Sequence, residues 1–163
     1  MLERHEEVFI NPLDNVEEVL TYNNWVYNRT NDDELIVTIA GRNCTYRLLF
    51  IWQEGLNALQ YVCQYDITVS EKNRSVAYEA IANMNAMLWM GHLEVTADTL
   101  IPSFRHTALL PHHAEYHDRI EDLVDISLAQ CERFQPVFQI LSDHTQIDMQ
   151  TLSLAMMDIS GES

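Results

Sequence analysis

The stretch Cys44-Thr45-Tyr46-Arg47-Leu48-Leu49-Phe50-Ile51-Trp52-Gln53-Glu54-Gly55-Leu56-Asn57-Ala58-Leu59-Gln60-Tyr61-Val62-Cys63-Gln64-Tyr65-Asp66 decides the fold. Both of its arms are rich in strand formers, and Glu54-Gly55 between them reads as a two-residue hairpin loop in which Gly55 supplies positive φ. Gln53 then opposes Leu56, and the pairing of the whole ladder follows. Alternation puts Tyr46, Leu48, Phe50, Trp52, Leu59, Tyr61, Cys63 and Tyr65 on one face. Arg47, Leu49, Ile51, Ala58, Gln60, Val62 and Gln64 fall on the other. The first face predicts a core covered by helices; the second is mixed and predicts a contact surface.

Outward from the hairpin, the chain continues as helices and strands in blocks. Toward the N-terminus, Leu35 to Ala40 alternates as a strand, and Trp25-Val26-Tyr27 begins another beyond the turn residues Thr30-Asn31-Asp32-Asp33. Before them, Leu13, Val16, Val19 and Leu20 recur at helical spacing behind Asn11-Pro12, with Asn11 or Asp14 as cap. Toward the C-terminus, Ser70 is placed to cap a helix running to about Met87. Strands follow over 88–95 and 101–109. A helical stripe then runs Ile120, Leu123, Val124, Ser127, Cys131, Phe134, Phe138 and Leu141, and Pro136 is expected to kink or restart it. The tail 146–163 reads as an amphipathic helix with Leu152, Ala155, Met156 and Ile159 along one side. The pattern predicts one α+β domain over 1–163: an antiparallel sheet, meander plus second hairpin, with helices on one face.

Composition narrows function by exclusion. Asp and Glu number 25 against 9 Lys and Arg, a formal charge of −16, and Lys72 is the sole lysine. Nucleic acid and acidic membrane need a basic stripe, so neither is expected as a direct partner. The first residues lack the basic start and apolar run of a signal peptide, and no apolar stretch reaches spanning length, which predicts a cytoplasmic protein. Cys44, Cys63 and Cys131 read as buried reduced thiols, since the expected register separates Cys44 from Cys63 by about 7 Å at Cβ.

No catalytic constellation emerges. Four glycines leave no phosphate-cradling loop, and G-x-S-x-G is absent. Asn31-Asp32-Asp33-Glu34 lacks the glycine and distal glutamate of a calcium loop and reads as a turn. The histidines of 106–121 offer one alternative: His113, His117 and Glu121 repeat at i, i+4, i+8, a spacing that places metal ligands on one helix face. First-turn polar residues of a helix account for them more simply. No enzyme activity and no cofactor is predicted. The preferred reading is a homodimer that also presents a surface to another protein, with Arg47, Leu49, Ile51, Val62 and Met156 as contact residues. Replacing Leu49 or Ile51 with Glu tests it.

Several local signatures, taken in order, carry a family likeness. They are Asn11-Pro12-Leu13-Asp14 with Glu17 or Glu18, Trp25 with Arg29, Cys63 with Asp66, and Asn85 through Trp89 with Gly91 and His92. Arg105-His106, Cys131-Glu132-Arg133-Phe134 before Pro136, and Asp158 with Gly161-Glu162 complete the set. The chain resembles the YbjN-like family, bacterial proteins labelled sensory transduction regulators, and departs from it mildly where Leu93 replaces a usual Phe. The resemblance implies the fold of type III secretion chaperones, a twisted antiparallel sheet with packed helices that commonly dimerises and binds extended protein segments. It implies no catalytic residue.

Overall fold

The computed structural model describes residues 11–110 and 116–160. Among them the order is α1 (Pro12–Tyr22), β1 (Tyr27–Asn31), β2 (Glu34–Ala40), β3 (Thr45–Gln53), β4 (Ala58–Tyr65), α2 (Arg74–Asn85), β5 (His92–Val95), β6 (Pro102–Leu109), α3 (His117–Leu141) and α4 (Met149–Ser160). The strands form one antiparallel sheet in the order β1-β2-β3-β4-β6-β5. The α+β class holds, with a four-strand meander extended by the β5–β6 hairpin, whose second strand pairs with β4.

The central hairpin keeps its faces but not its loop. Gln53 opposes Ala58 instead of Leu56, so Tyr46 faces Tyr65 and Leu48 faces Cys63. Glu54–Leu56 closes as a 3-10 turn, and Asn57 takes the left-handed conformation at φ 50 that Gly55 was expected to provide. Asparagine tolerates that region almost as well, which permits the longer loop. A slip of two residues moves every pair yet leaves each side chain on its face.

The helices cover the face assigned to the core. Tyr46, Leu48, Phe50, Leu59, Tyr61 and Cys63 are fully buried beneath Leu13, Val16 and Leu20 of α1, Met84 of α2, and Phe134, Phe138 and Leu141 of α3. Aromatic edges interlock there, with Tyr46–Tyr65 at 5.3 Å, Phe50–Tyr61 at 5.2 Å and Tyr65–Phe138 at 4.9 Å between centroids. The Tyr65 hydroxyl donates to the Cys131 carbonyl at 2.7 Å, which locks α3 over β4. Asn11 caps α1 by accepting from the Leu13 N–H at 3.0 Å, and Pro12 occupies the first helical position.

Two local expectations change and one narrows. The segment after Ser70 first makes a 3-10 turn, Glu71–Asn73, before α2 begins at Arg74, and the Ser70 side chain makes no capping bond. Of the two outcomes expected at Pro136, a restart does not occur, since helix α3 continues through it to Leu141. Pro136 is exposed, while Phe134, Val137 and Phe138 on either side of it are buried and hold the helix down. Strand β5 starts at His92 rather than 88, because the Asn85 side chain accepts from the Leu93 N–H at 2.7 Å and donates to the Leu93 carbonyl at 3.1 Å, anchoring the chain there.

The tail helix buries its stripe on its own chain. Leu152, Met156 and Ile159 join the core where α4 packs on α3, each such side chain contributing about 1.5–3 kcal/mol. Met156 is 8% exposed and belongs to that core, apart from the other expected contact residues. All three cysteines are free; Cys63 and Cys131 are buried and Cys44 is half-buried.

Candidate interaction face

Among the described residues, no helix packs on the second face of the sheet. Its side chains line up in rows set by the register. One row runs Ile36, Leu49, Val62, Arg105, His92 across five strands. Beside it lie Glu34, Ile51, Gln60, Thr107 on one flank and Thr38, Arg47, Gln64, Ser103, Glu94 on the other. Ile36, Leu49, Ile51 and Val62 therefore form an apolar patch ringed by polar and charged side chains. None of the four belongs to the hydrophobic core cluster. Leu49, Ile51 and Ile36 are half-buried, Val62 is 8% exposed, and Arg47 is exposed.

Arg47, Leu49, Ile51 and Val62 are thus brought together as the alternation of the hairpin implies. Ile36 and the polar flank from β5 and β6 were not expected there. Ile36 alternates on β2 with the buried Leu35 and Val37, and that alternation is the signal that places it. The arrival of Arg105 and His92 depends on β6 pairing with β4, which no local pattern announces. The polar rim is charge-balanced: Arg105 pairs with Glu94 at 2.7 Å, and His92 lies 3.3 Å from the same carboxylate.

The histidine region gathers differently from its spacing. His117, Asp118 and Glu121 offer ligand atoms within 4.8 Å of one another on the first turns of α3. His113 lies outside the described residues. A helix N-terminus carries positive potential from its unpaired N–H groups, which opposes a cation. Asp118 is exposed, and the carboxylates serve the helix end well without a metal.

In two other clefts some of the charged residues are paired within the fold. A cavity of about 440 Å³ at one end of the sheet is lined by Asp14, Asp32, Asp33, Glu54 and Arg29. Arg29 bonds Asp14 at 2.8 Å and Glu17 at 3.3 Å, tying β1 to α1, and Asp14 holds the guanidinium pKa above its ordinary value. A second groove of about 540 Å³ between α3, α4 and the β2–β3 turn carries Glu132, Arg133 and Asp158. Glu132 accepts from the Arg42 backbone N–H at 2.9 Å and so secures that turn. Burial pushes the Cys63 thiol and the Tyr61 and Tyr65 phenols well above their ordinary pKa values, so these groups stay protonated at neutral pH.

The comparisons with known proteins agree with this frame. A family model described as "YbjN: Putative bacterial sensory transduction regulator" matches residues 12–139. No curated protein matches the chain. A crystal structure described as "YbjN, a putative transcription regulator from E. coli" is similar in fold at a TM-score of 0.51 and 10% identity, over 78% of this chain and 96% of that one. The match across the sheet, the first two helices and nearly all of α3, together with the shared fold, shows that the chain belongs to the YbjN family.

Proposed function

We propose that this protein is a non-enzymatic, chaperone-like regulator of the cytoplasm that pairs with a second copy of itself through the second face of the sheet and acts by protein contact. The observation that carries the reading is the apolar patch of Ile36, Leu49, Ile51 and Val62 on the sheet face opposite the helix-packed one, where the first three stay half-buried and Val62 is buried between them. Strands about 4.8 Å apart make a face on the order of 25 Å square, near the ~800 Å² per partner of a standard interface, so the polar rim must take part as well as the patch. The face suits a second copy because its own charges balance, although the chain as a whole carries −16. Three free thiols accord with a reducing compartment. The E. coli neighbour is described as a transcription regulator; a chain this acidic would reach transcription through another protein and not through DNA.

Leu49→Glu and Ile51→Glu should each convert the dimer to monomer by light scattering while changing stability by no more than about 0.5 kcal/mol, the usual range for surface positions. Raising salt should strengthen the wild-type dimer, because it screens the repulsion between two acidic bodies. A wild-type monomer at every salt, or a dimer indifferent to both substitutions, removes the self-pairing reading. The histidine alternative makes an opposite claim. On the present reading, equimolar zinc leaves the thermal midpoint unchanged, and His117→Ala leaves it unchanged too; a zinc-dependent rise abolished by that substitution would favour the sensor.

A further inference from the structure

The charges on the second face of the sheet are of two kinds. Arg105 is held by Glu94 of its own copy at 2.7 Å, and His92 lies 3.3 Å from the same carboxylate. Glu34 and Arg47 differ. Among the described residues neither side chain has an ion-pair partner, although Glu34 is half-buried and Arg47 is exposed.

The register fixes where these two charges stand. Leu49 is the centre of the apolar patch, opposite Ile36 and Val62 and two residues from both Ile51 and Arg47. Arg47 and Ile51 therefore flank it along β3, each about 6.7 Å away. Glu34 is the β2 partner of Ile51, one strand spacing or about 4.8 Å to the side.

Two copies packed face to face through this patch are related by a two-fold axis lying between the sheets, and its direction decides what Arg47 meets. With the axis along the strands, Arg47 lands on Arg47 of the other copy. A diagonal axis sets it over Ile36 or Val62, further from Glu34. With the axis along the row Ile36, Leu49, Val62, Arg47 lands over Ile51 of the other copy, one strand from Glu34. Its aliphatic stem then covers the half-buried Ile51 while its guanidinium reaches the unpaired carboxylate. Arg105 falls on that axis and meets its own copy, but Glu94 already matches its charge.

We propose, on the basis of the self-pairing read above, that the two-fold axis runs along the row Ile36, Leu49, Val62, and that Arg47 of each copy pairs with Glu34 of the other in two symmetric contacts. Opposite charges at both contacts fix the relative orientation of the copies, and the apolar patch between them supplies the buried area.

Charge reversal tests the assignment. Glu34→Arg and Arg47→Glu, each alone, should raise the dimer dissociation constant at least tenfold in a light-scattering dilution series, because each creates two like-charge contacts. Net charge alone predicts the opposite for Glu34→Arg, which makes each copy less acidic and would tighten pairing. Mixed in equal amounts, the two variants should form a heterodimer by native mass spectrometry, since each then meets opposite charge at both contacts. Recovery on mixing also shows that both are folded. A chain carrying both substitutions should dimerise as wild type does. A wild-type monomer would remove self-pairing and these contacts with it. A wild-type dimer unmoved by either reversal, or weakened variants that fail to recover on mixing, would overturn the axis and leave self-pairing through this face in place. So would tighter pairing by Arg47→Gln, which would set Arg47 against its own copy.

Discussion

Gly91→Ala should destabilise the fold by about 2–5 kcal/mol, which for a chain of this size lowers the thermal midpoint by roughly 5–20 °C. Two penalties combine. An L-residue at φ +69 costs about 1–2 kcal/mol, and a methyl group at this position overlaps the Phe104 ring while standing 2.9 Å from the Arg105 carbonyl. Phe104 is fully buried, and its backbone is fixed by pairs on both sides, so the ring cannot swing clear. Urea unfolding monitored by circular dichroism measures the loss. A cost below about 1 kcal/mol would mean that the turn relaxes to negative φ.

This one glycine also marks the boundary of what the amino-acid order discloses. The two faces of the central hairpin are legible because alternation survives any even slip, and the observed slip is two residues. The loop is not legible from Gly55, because Asn57 can take the same left-handed backbone region and close a longer turn. Pro136 leaves a restart open in the sequence for a related reason: whether the helix continues past a proline depends on the burial of Phe134, Val137 and Phe138 around it, which belongs to the packed fold. The contact face is half legible. Arg47, Leu49, Ile51 and Val62 follow from the hairpin alone, whereas Arg105 and His92 reach the same row through strands separated from β4 by a helix. The groove lined by Met90, His106, Ala108 and Ile126 was beyond reach, since a loop, a strand and a helix from three regions form it. Several residues carrying the family likeness prove to hold the scaffold: Arg29 ties β1 to α1, Asn85 fixes the start of β5, and Glu132 fastens the β2–β3 turn.

The second large effect is expected at Asn73, which no sequence pattern singles out. It is fully buried, and its side-chain N–H groups are shared among the carbonyls of Leu141 at 3.2 Å, Asp143 at 3.1 Å and Thr145 at 3.1 Å. Its side-chain oxygen accepts from the Ile147 N–H at 2.9 Å. One amide thus organises the whole α3–α4 connection against the start of α2. Asn73→Ala should cost about 3–5 kcal/mol, because the Ile147 donor and at least two carbonyls lose their partner in a part-buried site. The Leu141 carbonyl retains the Ser70 N–H at 3.0 Å, which limits the damage. Asn73→Asp separates this account from simple loss of packing. The carboxylate has nearly the same shape but turns negative charge toward three carbonyl oxygens, so burial and those dipoles raise its folded pKa above the unfolded value of about 3.9. Its stability relative to wild type should therefore be best below pH 4, where the group is protonated in both states. It should fall as pH rises toward the folded pKa and then level off. Asn73→Ala should show no such dependence. A difference between the aspartate variant and wild type that stays flat from pH 4 to 7 would mean the carbonyl cage does not form, and α4 would then need another anchor to its own core.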